Sequence, residues 1–203
     1  MKLFFAPTSP FVRKCLICAA ALKLQDRLEL VSAKAHPVVR DVQVVQHNPL
    51  GKIPALLTDD GLTLYDSRVI CEYLNSLVQG PLFPADGQAR WQALSMQSLA
   101  DGMMDACVLA RYEDIVRPEE LRWPTWKSSQ LKKVSAGLRA LETQADTLGQ
   151  QPDIGSIAVA CALWYLDLRY AEIDWRQSYP HLAQWYQGFS QQPAIAANWQ
   201  TET

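Results

Sequence analysis

The sequence has no apolar run approaching the roughly 20 residues that span a bilayer as a helix. It also has no basic excess. Nineteen Lys and Arg stand against 21 Asp and Glu, a net charge of -2. Nucleic acids and anionic membrane surfaces select for concentrated positive charge, so neither is expected as a partner. A secretory leader is not expected either. The opening M-K-L-F-F-A-P-T-S-P has one lysine, and its apolar run over residues 3–6 stops at Pro7. That is shorter than the ~7–15-residue apolar stretch a leader needs. The segment reads as a first strand, and a cytoplasmic location is the expectation. Cysteines are few and odd in number: Cys15, Cys18, Cys71, Cys107 and Cys161. An odd count in apolar, helix-like surroundings argues against a disulfide framework and for buried, reduced thiols. Internal repeats and low-complexity segments are absent.

What is present is ordered. Residues 2–6 predict a strand, and Pro7-Thr8-Ser9-Pro10 predicts a turn. Pro10 suits the first turn of a helix, where its missing N–H costs nothing. Residues 11–24 then carry helical spacing, with Phe11, Cys15, Cys18, Ala19 and Leu22 on one face. Residues 28–32 alternate like a second strand, and residues 35–46 hold one helical turn at most. Residues 53–58 and 62–65 read as strands around the hairpin signal Asp59-Asp60-Gly61. Asp66-Ser67 opens a helix to residue 77, with Val69, Ile70, Tyr73, Leu74 and Leu77 inward. A tight hairpin demands an antiparallel pair, while parallel strands need crossover helices, so the sheet is mixed.

The Pro- and Gly-rich residues 79–88 read as a linker. Beyond it strand signals stop. Helical patterns cover residues 89–116, 124–148, 153–170 and 181–190, the third being the most apolar. At its start Asp153 is the N-cap, with Ser156 as return partner three residues on. The expected organisation is an α/β domain over residues 1–78, a linker over 79–88 and an all-α domain over 89–203.

One stretch resists this reading. N-P-L-G-K-I-P-A-L-L-T, residues 48–58, carries Pro54 inside a segment that is otherwise strand-like. Proline gives no N–H to a ladder and is normally confined to edges, first positions and bulges.

Three blocks resolve the conflict together: K-L-F-F-A-P-T-S-P-F-V-R-K at the start, N-P-L-G-K-I-P-A-L in the middle, and Y-D-S-R-V-I-C-E-Y-L after it. In order and spacing the protein resembles the cytosolic glutathione transferases over nearly its whole length, as a serine-type bacterial member. The resemblance implies a thioredoxin-like N-terminal domain, with a mixed four-stranded sheet and helices, followed by an all-helical C-terminal domain. It implies glutathione as co-substrate, no metal, an electrophilic small molecule as second substrate, and a homodimer.

It also implies roles for particular residues. Pro54 resembles the family's cis proline, which would leave the N–H and C=O of Ile53 to pair with the cysteinyl backbone of glutathione. Asp66 and Ser67 match the family's acidic residue and serine, which hold the γ-glutamyl end. Ser67 would take the α-carboxylate, and Asp66 would help with the α-ammonium. A helix N-terminus suits a carboxylate in any case. Lys52 could reach the glycyl carboxylate. Ser9 is the candidate catalytic residue, donating a hydrogen bond to the glutathione sulfur and favouring its thiolate; adjacent Thr8 is the alternative. The position holds neither the tyrosine of several classes nor a cysteine, so a mixed disulfide there is excluded.

Cys15-Leu16-Ile17-Cys18 spells C-x-x-C but starts too far along the helix to gain from its dipole, and a redox role is not expected. In the second domain Asp101, Asp105, Val108 and Tyr112 share a helix face, with Arg111 beside them, as candidates to line an electrophile pocket. Two other functions fit the same blocks: a non-catalytic glutathione-binding regulatory module, and a glutathione-dependent peroxide or disulfide reductase.

Overall fold

The computed structural model describes residues 1–199. Strands β1 (Lys2–Phe5), β2 (Glu29–Ser32), β3 (Ala55–Leu57) and β4 (Thr63–Leu64) form one sheet in the order β2-β1-β3-β4. β1 runs parallel to β2, with Phe4 opposite Val31, and antiparallel to β3, with Phe4 opposite Ala55. β3 and β4 are antiparallel, Leu57 facing Thr63. The mixed sheet follows from the connections. Helix α1 (Pro10–Ala21) carries the parallel crossover, while Thr58 to Leu62 closes the tight hairpin.

In that hairpin Thr58 N–H bonds the Leu62 carbonyl at 2.8 Å, and Gly61 takes φ +86°, a value that favours glycine. Helix α2 (Val42–His47) is capped by Asp41, whose carboxylate accepts the Gln43 N–H at 2.9 Å. Helix α3 (Ser67–Ser76) packs on α1.

The remaining helices are α4 (Gly87–Ile115), α5 (Pro124–Glu142), α6 (Ile154–Arg169), α7 (Trp175–Ser178), α8 (Pro180–Phe189) and α9 (Pro193–Ala196). The protein divides into two compact units. One is Met1–Arg90 joined by the segment from Pro193, which includes α9; the other is Trp91–Gln192. The first holds the sheet. Its core places Phe4, Val44 and Ala55 in one cluster, with Val31 and Ile53 packed against it. The second is all helix around α6, which is buried from Ile154 to Leu166. Asp153 and Ser156 cap α6 reciprocally: Ser156 N–H donates to the Asp153 carboxylate at 2.7 Å, and Asp153 N–H donates to the Ser156 hydroxyl at 2.9 Å.

The thioredoxin-like α/β arrangement and the all-helical second half agree with the sequence, but several boundaries move. The expected helix over 11–24 ends at Ala21, because Leu22 caps it and Lys23 turns to φ +58°. The strand expected over 53–58 is only three residues long, since Ile53 and Pro54 precede the ladder. The helix expected to reach residue 148 ends at Glu142, with Thr143 as its C-cap. Val69, expected inward, is 47% exposed on α3. All five cysteines are buried, and none is joined in a disulfide among the described residues.

Candidate active site

The first unit gathers the sequence-derived residues at two helix starts and one strand end. The segment before β3 is built by Asn48, which is 2% exposed. Its side-chain amide donates to the Lys52 carbonyl at 2.8 Å, its side-chain oxygen accepts the Leu50 N–H at 3.1 Å, and its backbone carbonyl accepts the Gly51 N–H at 2.8 Å. Gly51 sits at φ +64°, where a side chain would be strained. This turn delivers Lys52, Ile53 and Pro54 in a fixed order.

The Ile53–Pro54 peptide is cis. Pro54 is buried, Ile53 half-buried and Lys52 exposed. Among the described residues the backbone of Ile53 makes no hydrogen bond, although β3 begins two residues later. An unpaired N–H and C=O beside a strand is the edge an extended peptide can join. The Lys52 ammonium makes no ion pair among the described residues, and so stays available to an anion.

Asp66 is the N-cap of α3, reached through a cis Tyr65–Asp66 peptide. Its carboxylate accepts the Arg68 N–H at 2.9 Å and the Arg68 side chain at 3.2 and 2.8 Å. Partial burial opposes ionisation of Asp66. The Arg68 contacts outweigh it, with a smaller pull from Lys14, and hold the carboxyl below its ordinary range. Ser67, the first helical residue, is 1% exposed, and neither its N–H nor its hydroxyl has a hydrogen-bond partner among the described residues. A hydroxyl without an internal partner beside free helix N–H groups is a place for a ligand anion.

Ser9 is the N-cap of α1, its hydroxyl oxygen accepting the Val12 N–H at 3.3 Å. Capping uses a lone pair, so the hydroxyl proton remains free to donate. Capping α1 therefore does not use up the donor of Ser9. Ser9 and Thr8 are half-buried. Their turn is fastened by Arg13, 4% exposed, whose guanidinium donates to the Pro7 carbonyl at 2.5 Å and also to the Asn198 carbonyl.

Three residues went unassigned by sequence reasoning: Asn48, Arg13 and Lys14. Lys14 is fully buried in α1. The signal for Asn48 was the Asn-Pro pair opening a turn. For Lys14 it was the spacing Pro10, Lys14, Cys18, which continues an inward stripe. Cys15 and Cys18 lie on that buried side with Cys71 of α3; Cys71 Sγ is 3.9 Å from Cys15 Sγ. Burial pushes the Cys18 thiol well up, which fits a structural C-x-x-C. No group of acids, histidines or cysteines among the described residues is arranged to hold a metal ion.

In the helical unit, Asp101 of α4 is buried, Asp105 exposed, and Val108, Arg111 and Tyr112 half-buried. Burial raises the Tyr112 hydroxyl pKa, with Arg111 opposing.

Comparisons with known proteins show the family. Residues 8–77 match the glutathione S-transferase N-terminal domain, and residues 106–188 the glutathione S-transferase C-terminal domain. The uncharacterized GST-like protein YibF of Escherichia coli (strain K12) is 33% identical over 190 residues, 90% of each protein. A glutathione transferase family member from Pseudomonas fluorescens Pf-5, solved with bound glutathione, is 45% identical over 97% of each protein, with a TM-score of 0.94. The same organism provides a structure with bound S-(propanoic acid)-glutathione, at 44% identity over 98% of each protein and a TM-score of 0.89. This protein belongs to the glutathione S-transferase family.

Proposed function

We propose that this protein binds glutathione in its first unit and activates the thiol for attack on an electrophilic small molecule. The observation that carries the reading is the pairing of an unbonded Ile53 backbone with the unpartnered Ser67 at the start of α3. A tripeptide fits this arrangement. Its cysteinyl N–H and C=O pair with Ile53 beside Pro54, its γ-glutamyl carboxylate meets Ser67 and the α3 N–H groups, and its α-ammonium meets Asp66. Lys52 takes the glycyl carboxylate. Solved relatives with glutathione and with a glutathione thioether bound support the same ligand.

Ser9 then donates its free hydroxyl proton to the sulfur. A hydrogen bond to the ionised form favours that form, so the thiol gives up its proton to solvent more readily. Thr8 shapes the same turn. The thiolate forms a C–S bond to the electrophile. In substitution the leaving group departs with the electron pair; in conjugate addition a proton from water returns to the adjacent carbon. This reading includes a glutathione-binding domain over residues 1–78, a linker over 79–88, an all-α domain over 89–203, a homodimer and a cytoplasmic location. No helix among the described residues is long and apolar enough to cross a membrane.

Calorimetric titration with reduced glutathione is the direct test: saturable binding is expected, and its absence at millimolar ligand in a folded sample rejects the proposal. Ser9→Ala separates activation from binding. It should raise the thiol pKa of bound glutathione by about one unit, or roughly 1.4 kcal/mol, while changing affinity little. Thiolate absorbance against pH reads the shift, and an unmoved pKa removes Ser9 from the chemistry.

A further inference from the structure

In the helical unit two half-buried arginines make no ion pair among the described residues. Arg111 lies near the end of α4, and Arg169 is the last residue of α6. The two helices are tied together there: the Tyr170 hydroxyl donates to the Cys107 carbonyl at 2.7 Å. Arg111 stands one helical turn beyond Cys107, and Arg169 is the neighbour of Tyr170, so the tie brings both residues to one junction of the α4–α6 pair. Tyr165, one turn before Arg169, feels the charge of both arginines, and Tyr112 feels that of Arg111.

Three acids of the same segments are paired elsewhere. Asp114 pairs with Lys127 at 2.7 Å, Asp167 with Arg176 at 2.6 Å, and Glu113 with Arg117 at 2.8 Å. Among the described residues neither Arg111 nor Arg169 makes a hydrogen bond or ion pair. The Nε of Arg169 is buried without a partner, a condition native proteins seldom leave unmet. Arg111, Tyr112 and Arg169 are half-buried rather than sealed, so a solute can reach them.

We propose that Arg111 and Arg169 form a carboxylate-binding site in the helical unit, which takes an organic acid whose apolar body lies against Tyr112 and Tyr165. Guanidinium forks match a carboxylate with paired N–H donors. Tyrosine rings supply apolar faces, and their protonated hydroxyls add donors rather than a competing charge. As the acceptor site of the transferase, it selects electrophiles bearing a carboxylate; that assignment rests on the function proposed above, while the carboxylate site itself does not.

The test uses the full-length protein with ¹⁵N-labelled arginine and benzoate as the probe, without glutathione. Benzoate should shift the side-chain Nε–H signals of Arg111 and Arg169 saturably, and benzyl alcohol should not. Arg169→Gln should weaken benzoate binding about tenfold while leaving reduced-glutathione affinity unchanged. Unmoved arginine signals at tens of millimolar benzoate overturn the site. Equal shifts with sulfate overturn the carboxylate class. The wild-type titration decides both questions even where the variant fails to fold. Failure of reduced glutathione to bind is read separately by calorimetry and bears on the transferase assignment alone.

Discussion

Two helix starts in this molecule use the same pair of residue types and differ in what they leave open. At α6, Asp153 and Ser156 bond each other's N–H groups, and Gly155 between them packs so closely that a Cβ would stand 2.8 Å from the Ala93 carbonyl oxygen and 2.9 Å from Met96 Cβ. At α3, Asp66 caps Arg68 N–H, but Ser67 next to it keeps an unpartnered hydroxyl and N–H. The residue after it, Arg68, has a side chain 58% exposed. The first start satisfies its own donors and closes against a neighbouring helix. The second leaves its donors unmet at a position that a ligand can complete. A capping motif therefore marks a helix beginning in sequence, and only its neighbours decide whether that beginning serves folding or binding.

Substitutions that fill or empty these starts sharpen the contrast. The largest effect belongs to Gly155→Val, because the atom met by the new Cβ is backbone and cannot swing away. Thermal or denaturant unfolding should show a loss of about 3 kcal/mol, at the upper end of overpacking costs. Asp153→Ala removes one side of the reciprocal cap and should cost about 1–2 kcal/mol by the same measurement. Glutathione affinity of the folded protein should not change.

Ser67→Ala inverts that pattern. Stability should stay within about 0.5 kcal/mol, since no internal bond is lost, while calorimetry should show glutathione binding weakened about tenfold, or 1.4 kcal/mol. A stability loss with unchanged affinity would make the two starts alike and end the comparison.

The smallest effect is a pH dependence. The folded Asp66 carboxyl titrates below its unfolded value, so the stability it contributes is fully present above the usual carboxylate pKa near 4. That contribution is lost as pH falls through the folded value. Asp66→Asn should flatten this acid part of the melting-temperature profile.

Much of the fold was legible because its signals are local. Pro10 after a turn, Asp60-Gly61 between apolar pairs, and Asp66 before an apolar stripe each act over a few residues, and the structure places α1, the hairpin and α3 there. Boundaries that depended on distant partners were less legible. The α1 face includes Arg13 and Lys14, whose charges disguise an inward position that becomes tenable only when carbonyls and neighbours from other segments surround them. Val69 has the right helical spacing for the core, yet it is exposed, because periodicity says which residues share a face and not which of them a neighbour covers.

For the site, the residue types were visible in the sequence and their availability was not. Thr8, Ser9, Lys52, Ile53, Pro54, Asp66 and Ser67 stand in blocks whose resemblance to the family implies a peptide-binding edge and two capped helices. Whether Ile53 is unpaired, whether Ser67 keeps a free hydroxyl, and whether Ser9 has a proton left after capping depend on where other segments end.

By itself the sequence determined the alternation of strands and helices, the all-α second half, the cap residues and the absence of a long apolar helix, all of which follow from short-range periodicity and turn chemistry. Tertiary structure alone decided which polar groups remain unmet. A hydrogen bond is satisfied by proximity in space, so the openness of Ser67 and the two arginines at the α4–α6 junction that make no ion pair among the described residues could be seen only after the polypeptide had folded back on itself.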